Sequence, residues 1–250
     1  MRVSVVAAVS GVLVAGVLTM VGYSGDLAAL GGSTRPTPAA SSPAEPKEHG
    51  PVVTGHIGDD PDPDAITYVY AGDSITARAD SWLHVLSGDG HLDAVDGYAR
   101  SGYRSDQVLD EVPAATGADV LVIEVGTNDI NQGKTLDSIV TNVAAIATKV
   151  GADHVLLTAA PPSDETSSQW GVNRQRGSVE LNARFRSEAA THDWSYTDPF
   201  AAYREADNSW HHGASADGIH PTARSNTTVA KVMAGAIERA SRSSSLSGTS

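Results

Sequence analysis

A serine follows a short apolar run in the segment Ala71-Gly72-Asp73-Ser74. Gly72 allows a tight turn at the end of that run, and such a turn would leave Ser74 at the start of a helix. A serine in this position can act as a nucleophile, and a backbone N–H beside it can stabilise a developing oxyanion. The alternative is that Asp73 or Ser74 only caps the helix.

Asp217 and His220 lie three residues apart, just before a helical pattern near the end of the chain. Within one turn, Asp217 could hold the imidazole of His220 in a single tautomer. The second ring nitrogen would then be free to take a proton from a serine. A surface loop is the alternative, because this spacing is common.

Two further clusters also follow apolar runs. Asn128 lies in Gly126-Thr127-Asn128-Asp129, where a side-chain amide held in a fixed position could stabilise an oxyanion. Gly102 follows a weaker run. The alternatives are an Asx turn or helix cap for Asn128 and an ordinary turn for Gly102.

Short apolar runs alternate with helix-compatible stretches from residue 65 onward, which predicts an α/β fold. Three runs are β-branched and almost continuously apolar, as in parallel strands buried on both faces. These are Ile66 to Ala71, Val120 to Val125 and Val155 to Ala160, with weaker strands predicted at Leu92 to Ala99 and Trp194 to Thr197.

Helices are predicted between these strands, at Ala79 to Leu86, Ser105 to Glu111, Leu136 to Val150, Ser178 to His192 and Thr222 to Ala240. Five strands with helices on both faces predict a doubly wound, three-layer α/β/α sandwich around a mostly parallel sheet. Such sheets bind their ligands beyond the carboxyl ends of the strands. Three of the four clusters directly follow a predicted strand and therefore lie at these ends.

The identity, order and placement of the clusters resemble the SGNH/GDSL hydrolase superfamily. That family has a nucleophile in a G-D-S block, then a glycine, a G-x-N-D block and a closing D-x-x-H; the resemblance spans about residues 66 to 240. It implies a flavodoxin-like sheet, Ser74 as nucleophile, His220 as general base and Asp217 as its partner. It also implies an oxyanion hole formed by the backbone N–H groups of Ser74 and Gly102 and the amide of Asn128, without a cofactor.

Two positions depart from the family pattern. Ile75 replaces the leucine of the G-D-S-L form, and Arg100 occupies the place of the asparagine often found two residues before the second-block glycine. The second departure lies in the block that contains Gly102.

A metal site is an alternative use of the residues near the end of the chain. His211, His212, Asp217 and His220 could in principle bind a metal ion. We favour the serine interpretation and predict no metal, because a metal site would leave the Ser74 cluster without a role. Three aromatic residues on predicted loops could line a substrate cleft or cover the core: Tyr103, Trp170 and Trp210.

Composition excludes several classes of function. The net charge of −13 disfavours a nucleic-acid partner, because the surface would repel phosphates. The absence of cysteine excludes disulfides, thiolate metal sites and a cysteine nucleophile.

The two ends of the chain differ from its middle. Residues 1–24 hold one arginine and an apolar run, which predicts an export signal or an uncleaved membrane anchor. Residues 25–63 are predicted to be a disordered linker and residues 241–250 a serine-rich tail. The hydrolase domain is accordingly predicted at residues 64–240.

Together these features predict a secreted or membrane-anchored serine esterase, acting as a monomer. The expected substrates are small-molecule or glycan esters, with short acyl or acetyl groups favoured. Two alternatives remain from the sequence: an O-acyltransferase acting on cell-envelope glycans, and a non-catalytic module that binds the envelope.

Overall fold

The computed structural model describes residues 50–59 and 62–243. The predicted export signal or anchor lies outside these residues, as do most of the predicted linker and residues 244–250. Among the described residues, no helix has the length and apolar character needed to span a membrane.

A six-stranded sheet forms the centre of the fold. Its strands are β1 (Val52–Thr54), β2 (Ile66–Gly72), β3 (Leu92–Arg100), β4 (Val120–Glu124), β5 (His154–Thr158) and β6 (Ser195–Thr197). They lie in the order β1-β3-β2-β4-β5-β6, and every neighbouring pair is parallel except β1 with β3. The five predicted strands correspond to β2 through β6, so the mostly parallel sheet is confirmed.

Side chains alternate between two cores because successive strand residues point to opposite faces. In β4, Val120 and Val122 pack into one core, whereas Leu121 and Ile123 pack into the other. This explains why the central strands are apolar along their whole length.

Helices cover both faces of the sheet. The α-helices are α1 (Ser74–Ala77), α2 (Trp82–Leu86), α3 (Ser105–Glu111), α4 (Thr127–Asn131), α5 (Leu136–Val150), α6 (Arg174–Thr191) and α7 (Ala223–Ser241), with a 3₁₀ turn at Ala201–Tyr203. Buried side chains of α2 and α7 pack into one core, and those of α3, α5 and α6 into the other. The three-layer α/β/α sandwich is therefore confirmed.

Several predicted helix boundaries were wrong. Helix α2 begins at Trp82 rather than Ala79. Helix α6 begins at Arg174, four residues before the predicted start, because the Asn173 side chain accepts the Arg176 N–H and caps the helix there. The prediction also missed α1 and α4, which are too short to show a helical period.

The predicted linker boundary at residue 63 was also wrong. Val52, Val53 and Thr54 form β1 and pair with the outer edge of β3. Beyond the strand, the Ile57 N–H donates to the Ala94 carbonyl and the Tyr70 hydroxyl donates to the Gly55 carbonyl. The folded part therefore includes these residues, because an open sheet edge supplies partners to a segment with little apolar content of its own.

Candidate active site

Ser74 lies at the carboxyl end of β2, as the first residue of α1. Asp73 caps this helix, and its Oδ1 accepts the Ile75 N–H at 2.9 Å. A Cβ at Gly72 would lie 2.5 Å from Thr76 Cβ, so the tight turn requires glycine. The turn thus holds Ser74 at the edge of the sheet, where its side chain reaches a surface cavity.

His220 connects Ser74 to Asp217. The Nε2 atom of His220 lies 2.8 Å from Ser74 Oγ, and its Nδ1 atom lies 2.7 Å from Asp217 Oδ2. An ionised carboxylate can only accept a hydrogen bond, so the Nδ1 atom that contacts Asp217 carries a proton. The Nε2 atom is then unprotonated and can accept the serine proton. The three residues form one continuous hydrogen-bonded chain.

Asp217 is held as a carboxylate. Partial burial raises its pKa, but hydrogen bonds from the His220 N–H, the His220 ring and the Ile219 N–H outweigh this effect. The net result lowers the pKa of Asp217 to about 2. Asp217 is therefore charged at neutral pH and can stabilise an imidazolium.

Asp164, which the sequence analysis missed, fixes the loop that carries this aspartate and histidine. Its N–H donates to the Gly218 carbonyl at 3.0 Å, and its Oδ1 accepts the Trp210 N–H at 2.8 Å. Gly218 has a φ of +74°, and a Cβ there would lie 3.0 Å from Asp164 Cβ. The only signal in the sequence is that Asp164 follows soon after β5.

Asn128 lies at the carboxyl end of β4, in the first turn of α4. Its Nδ2 atom donates to the Tyr103 carbonyl at 2.9 Å, with a longer contact of 3.4 Å to Asp73 Oδ2. One amide hydrogen is thus bound by the Tyr103 carbonyl, and the other makes only the longer contact with Asp73. Gly126 makes this turn with a φ of +115°.

Gly102 follows β3 with a φ of +83° and lines the same cavity as Ser74. Arg100, which departs from the family pattern, lies over the Tyr103 ring and donates to its hydroxyl at 3.2 Å. Arg100 therefore supports the residue whose carbonyl binds Asn128.

Asp129 is a buried acid that the sequence analysis did not assign. Its two carboxylate oxygens accept the backbone N–H and the hydroxyl of Ser105, at 2.8 and 2.6 Å. These contacts tie α4 to the start of α3. Asp129 thus fixes the helix that carries Asn128.

The cavity above Ser74 has a volume of about 750 Å³. Ser74, Gly102, Asn128 and His220 all line it, so the structure brings every predicted site residue except Asp217 to one opening, and Asp217 stands directly behind His220. Most of the remaining lining side chains are polar: Arg78, Asp80, Ser101, Thr127, Asn131 and Arg174.

The predicted aromatic residues do not line this cavity. Trp210 is buried and packs edge-to-face on Phe200, so it belongs to the core. Tyr103 packs between Arg100 and Tyr98, and Trp170 is likewise absent from the cavity wall.

The alternative metal site is not assembled. Within residues 50–59 and 62–243, no three His, Asp or Glu side chains are placed to hold one ion. His211 lies 3.9 Å from Glu205, whereas both ring nitrogens of His220 are engaged by Asp217 and Ser74.

Comparison with solved structures supports the same fold. A candidate acylhydrolase from Bacteroides fragilis aligns with 74% of this chain and 92% of its own, at 20% identity and a TM-score of 0.59. A GDSL-like lipase from Bacteroides thetaiotaomicron aligns with 73% and 92%, at 20% identity and a TM-score of 0.57. A member of the lipolytic G-D-S-L family from Veillonella parvula aligns with 70% and 100%, at 18% identity and a TM-score of 0.57.

A search of the curated proteins gave no match. The sequence profile of the GDSL-like lipase/acylhydrolase family, however, matches residues 70–227, well over half of the chain. That range contains Ser74, Gly102, Asn128, Asp217 and His220. On this match, and with the fold in agreement, the chain belongs to the GDSL-like lipase/acylhydrolase family.

Proposed function

We propose that this protein is an exported serine esterase that hydrolyses carboxylic esters of short acyl groups. One observation carries the proposal: Asp217, His220 and Ser74 form a single hydrogen-bonded chain that opens into a cavity. A serine bonded to a histidine, which is in turn oriented by a carboxylate, is the arrangement that activates a hydroxyl for attack.

The reaction proceeds in two steps. Ser74 Oγ attacks the ester carbonyl while His220 Nε2 takes the serine proton. The oxyanion is bound by the N–H groups of Ser74 and Gly102 and by the Asn128 amide. His220 then gives the proton to the leaving alcohol, and the acyl group remains on Ser74. Water, deprotonated by His220, attacks this acyl-enzyme and releases the acid and the free serine.

The lining of the cavity favours a small acyl group and a polar alcohol. Three non-polar side chains line the cavity, those of Pro51, Ala79 and Ile219. None of these side chains is aromatic or long enough to form an extended acyl-chain groove, whereas sugar hydroxyls would find donors and acceptors among the polar lining residues. Acetyl esters of carbohydrates are therefore the favoured substrates.

A Ser74→Ala variant tests the proposed nucleophile. It should lose turnover of a short nitrophenyl ester and labelling by a fluorophosphonate, because both reactions need the hydroxyl. Ser138→Ala is the matched control, since Ser138 is exposed on α5, does not line the cavity, and donates its hydroxyl proton to the Thr135 carbonyl. Turnover by purified Ser74→Ala at the wild-type rate would refute the proposal.

An acyl-chain series tests the substrate preference. We expect acetyl and butyryl esters to be hydrolysed faster than esters of twelve or more carbons, and acetylated polysaccharides to release acetate. Preference for the long-chain esters would overturn the proposed substrate class and leave the serine mechanism standing.

The polar side chains that line the cavity also suit an acceptor sugar, which keeps the O-acyltransferase as a second candidate. A sugar hydroxyl in place of water would take the acyl group from Ser74. Product analysis with an added glycan separates the two activities, because an acyltransferase would yield acylated glycan. A protein that resisted the fluorophosphonate would instead indicate a non-catalytic binding module.

Export is proposed from the apolar segment in residues 1–24. We further propose that the protein acts as a monomer outside the cytoplasm, secreted or anchored to the membrane. Cell fractionation tests this location, and the mass of the extracted protein shows whether the segment is retained.

A further inference from the structure

Two buried acids lie beneath Ser74. Asp73 follows β2 and is 0% exposed, and Glu124 ends β4 and is 1% exposed. Gly72 and Glu124 are register partners in the sheet, and the Asp73 N–H donates to the Glu124 carbonyl at 3.2 Å. The proposed reaction uses neither carboxyl group.

Asp73 acts only as a hydrogen-bond acceptor. Its Oδ1 accepts the Ile75 N–H at 2.9 Å, in the turn that carries Ser74. The Thr127 N–H also donates to its carboxyl group, and Asn128 Nδ2 lies 3.4 Å from Oδ2. Asp73 therefore touches both segments from which the proposed oxyanion hole is built.

Glu124 is bonded differently. Its Oε2 accepts the Thr76 hydroxyl at 3.1 Å, and the Trp82 ring N–H donates to that same hydroxyl at 3.2 Å. Trp82 thus obliges Thr76 to direct its proton to Glu124. The other oxygen, Oε1, is buried and, as an ionised acceptor, has no hydrogen-bond partner among the described residues. A carboxylate oxygen left in this state is costly, whereas a protonated one becomes a donor.

Asp73 is the acidic side chain that contacts Glu124 within residues 50–59 and 62–243, and its carboxyl group can accept a hydrogen bond from this proton. Burial raises the pKa of Glu124 well above its usual range, and the adjacent charge of Asp73 raises it further. A third acid, Asp129 on α4, raises the pKa of Asp73, whose burial has the larger effect. Two adjacent buried carboxyl groups share a proton because both cannot be charged.

We propose that Glu124 is a positioning residue: protonated at neutral pH, it donates a hydrogen bond to Asp73, which holds the Ser74 turn and Asn128 in register. The inference rests on the proposed function, since its effect is on the oxyanion hole. A hydrogen bond from Glu124 fixes the Asp73 carboxyl group, whose Oδ1 accepts the Ile75 N–H and whose Oδ2 lies 3.4 Å from Asn128 Nδ2.

Two variants of Glu124 distinguish the effect of its hydrogen-bond donor from the effect of its side-chain volume. Glu124→Gln keeps an oxygen for Thr76 and places an N–H toward Asp73, whereas Glu124→Leu fills similar space with no donor. For a short nitrophenyl ester, we expect Glu124→Leu to lower kcat on the order of 10-fold or more, as for loss of a hydrogen bond to a charged group. Its KM should be little changed. Glu124→Gln should restore most of kcat.

Infrared spectroscopy detects the proton directly. At neutral pH the wild-type protein should show the C=O stretching band of a protonated carboxyl group, and Glu124→Gln should lack it. Glu111→Gln is the control, because Glu111 is exposed at the end of α3. Persistence of the band in Glu124→Gln, or wild-type kcat in Glu124→Leu, would overturn the inference.

The two measurements also distinguish this inference from the proposed function. A wild-type protein with no esterase activity would refute the function, and the infrared band would still decide whether Glu124 holds a proton. An active wild-type protein with an equally active Glu124→Leu variant would refute the inference alone.

Discussion

Acidic side chains lie on two sides of Ser74, and their surroundings shift their pKa values in opposite directions. The Asp217 side chain is 47% exposed and accepts three hydrogen bonds from donors within residues 219–220, which hold it ionised. Asp73 and Glu124 are fully buried next to each other, and burial raises both pKa values. Comparison of the two regions shows that solvent exposure and nearby N–H donors, rather than residue type, decide in which direction the pKa of a carboxyl group shifts.

The largest effect should come from His220, which joins the exposed Asp217 to Ser74. His220→Ala removes the base that accepts the Ser74 proton, so we expect kcat to fall on the order of 10⁶-fold. Steady-state kinetics on a short ester measures this loss. His211→Ala is the matched control, and comparable losses in both variants would contradict the assignment.

Removing the negative charge of Asp217 should have the next largest effect. Asp217→Asn keeps the shape but permits the wrong His220 tautomer and loses the charge that stabilises the imidazolium, so kcat should fall on the order of 10⁴-fold. The measurement is kcat for a short ester. Asp207→Asn, at another exposed turn, should leave it unchanged; wild-type turnover by Asp217→Asn would show that His220 needs no partner.

Asn128 links the buried region to the substrate. Asn128→Ala removes an oxyanion donor, and kcat should fall on the order of 10²-fold with little change in KM. The separation of kcat from KM is the readout, since the oxyanion forms only in the transition state. A change confined to KM would mean that Asn128 binds the ground state instead.

The smallest effect concerns the free energy of unfolding. The contributions of buried Glu124 and exposed Asp217 should change with pH in opposite directions. Folding raises the pKa of Glu124 above its ordinary value of 4.5. Its contribution to the free energy of unfolding is therefore complete below pH 4.5, and it is lost as the pH rises toward the pKa of the folded state. Within that window the free energy of unfolding should fall by up to about 1.4 kcal/mol per pH unit. The pKa of Asp217 is lowered to about 2, so its contribution is lost as pH falls through that value.

Denaturant unfolding across pH measures both trends. Glu124→Gln should flatten the decline on the neutral side, and Asp217→Asn should flatten the decline in acid. Equal slopes in wild type and Glu124→Gln would mean that Glu124 exchanges no proton on folding.

Local sequence was sufficient where a run of residues was long and uniform. The continuous apolar runs of β4 and β5 predicted buried parallel strands, and the helical period of α5 and α7 predicted their positions. Prediction failed where three to five residues take their structure from neighbours. Strand β1 exists because β3 offers an open edge, and α1 and α4 exist because Asp73 and Gly126 begin them after a strand.

By itself, the sequence determined the residue types and their order: a serine after β2, an asparagine after β4 and an aspartate and histidine before α7. Only the tertiary structure decided that Ser74 Oγ and His220 Nε2, 146 residues apart, lie at 2.8 Å. It also decided the direction in which the pKa of each acid shifts, by leaving Asp217 exposed beside N–H groups and burying Glu124 against Asp73. The physical reason is that distance and dielectric environment depend on how strands are ordered in a sheet, which no local pattern of residues specifies.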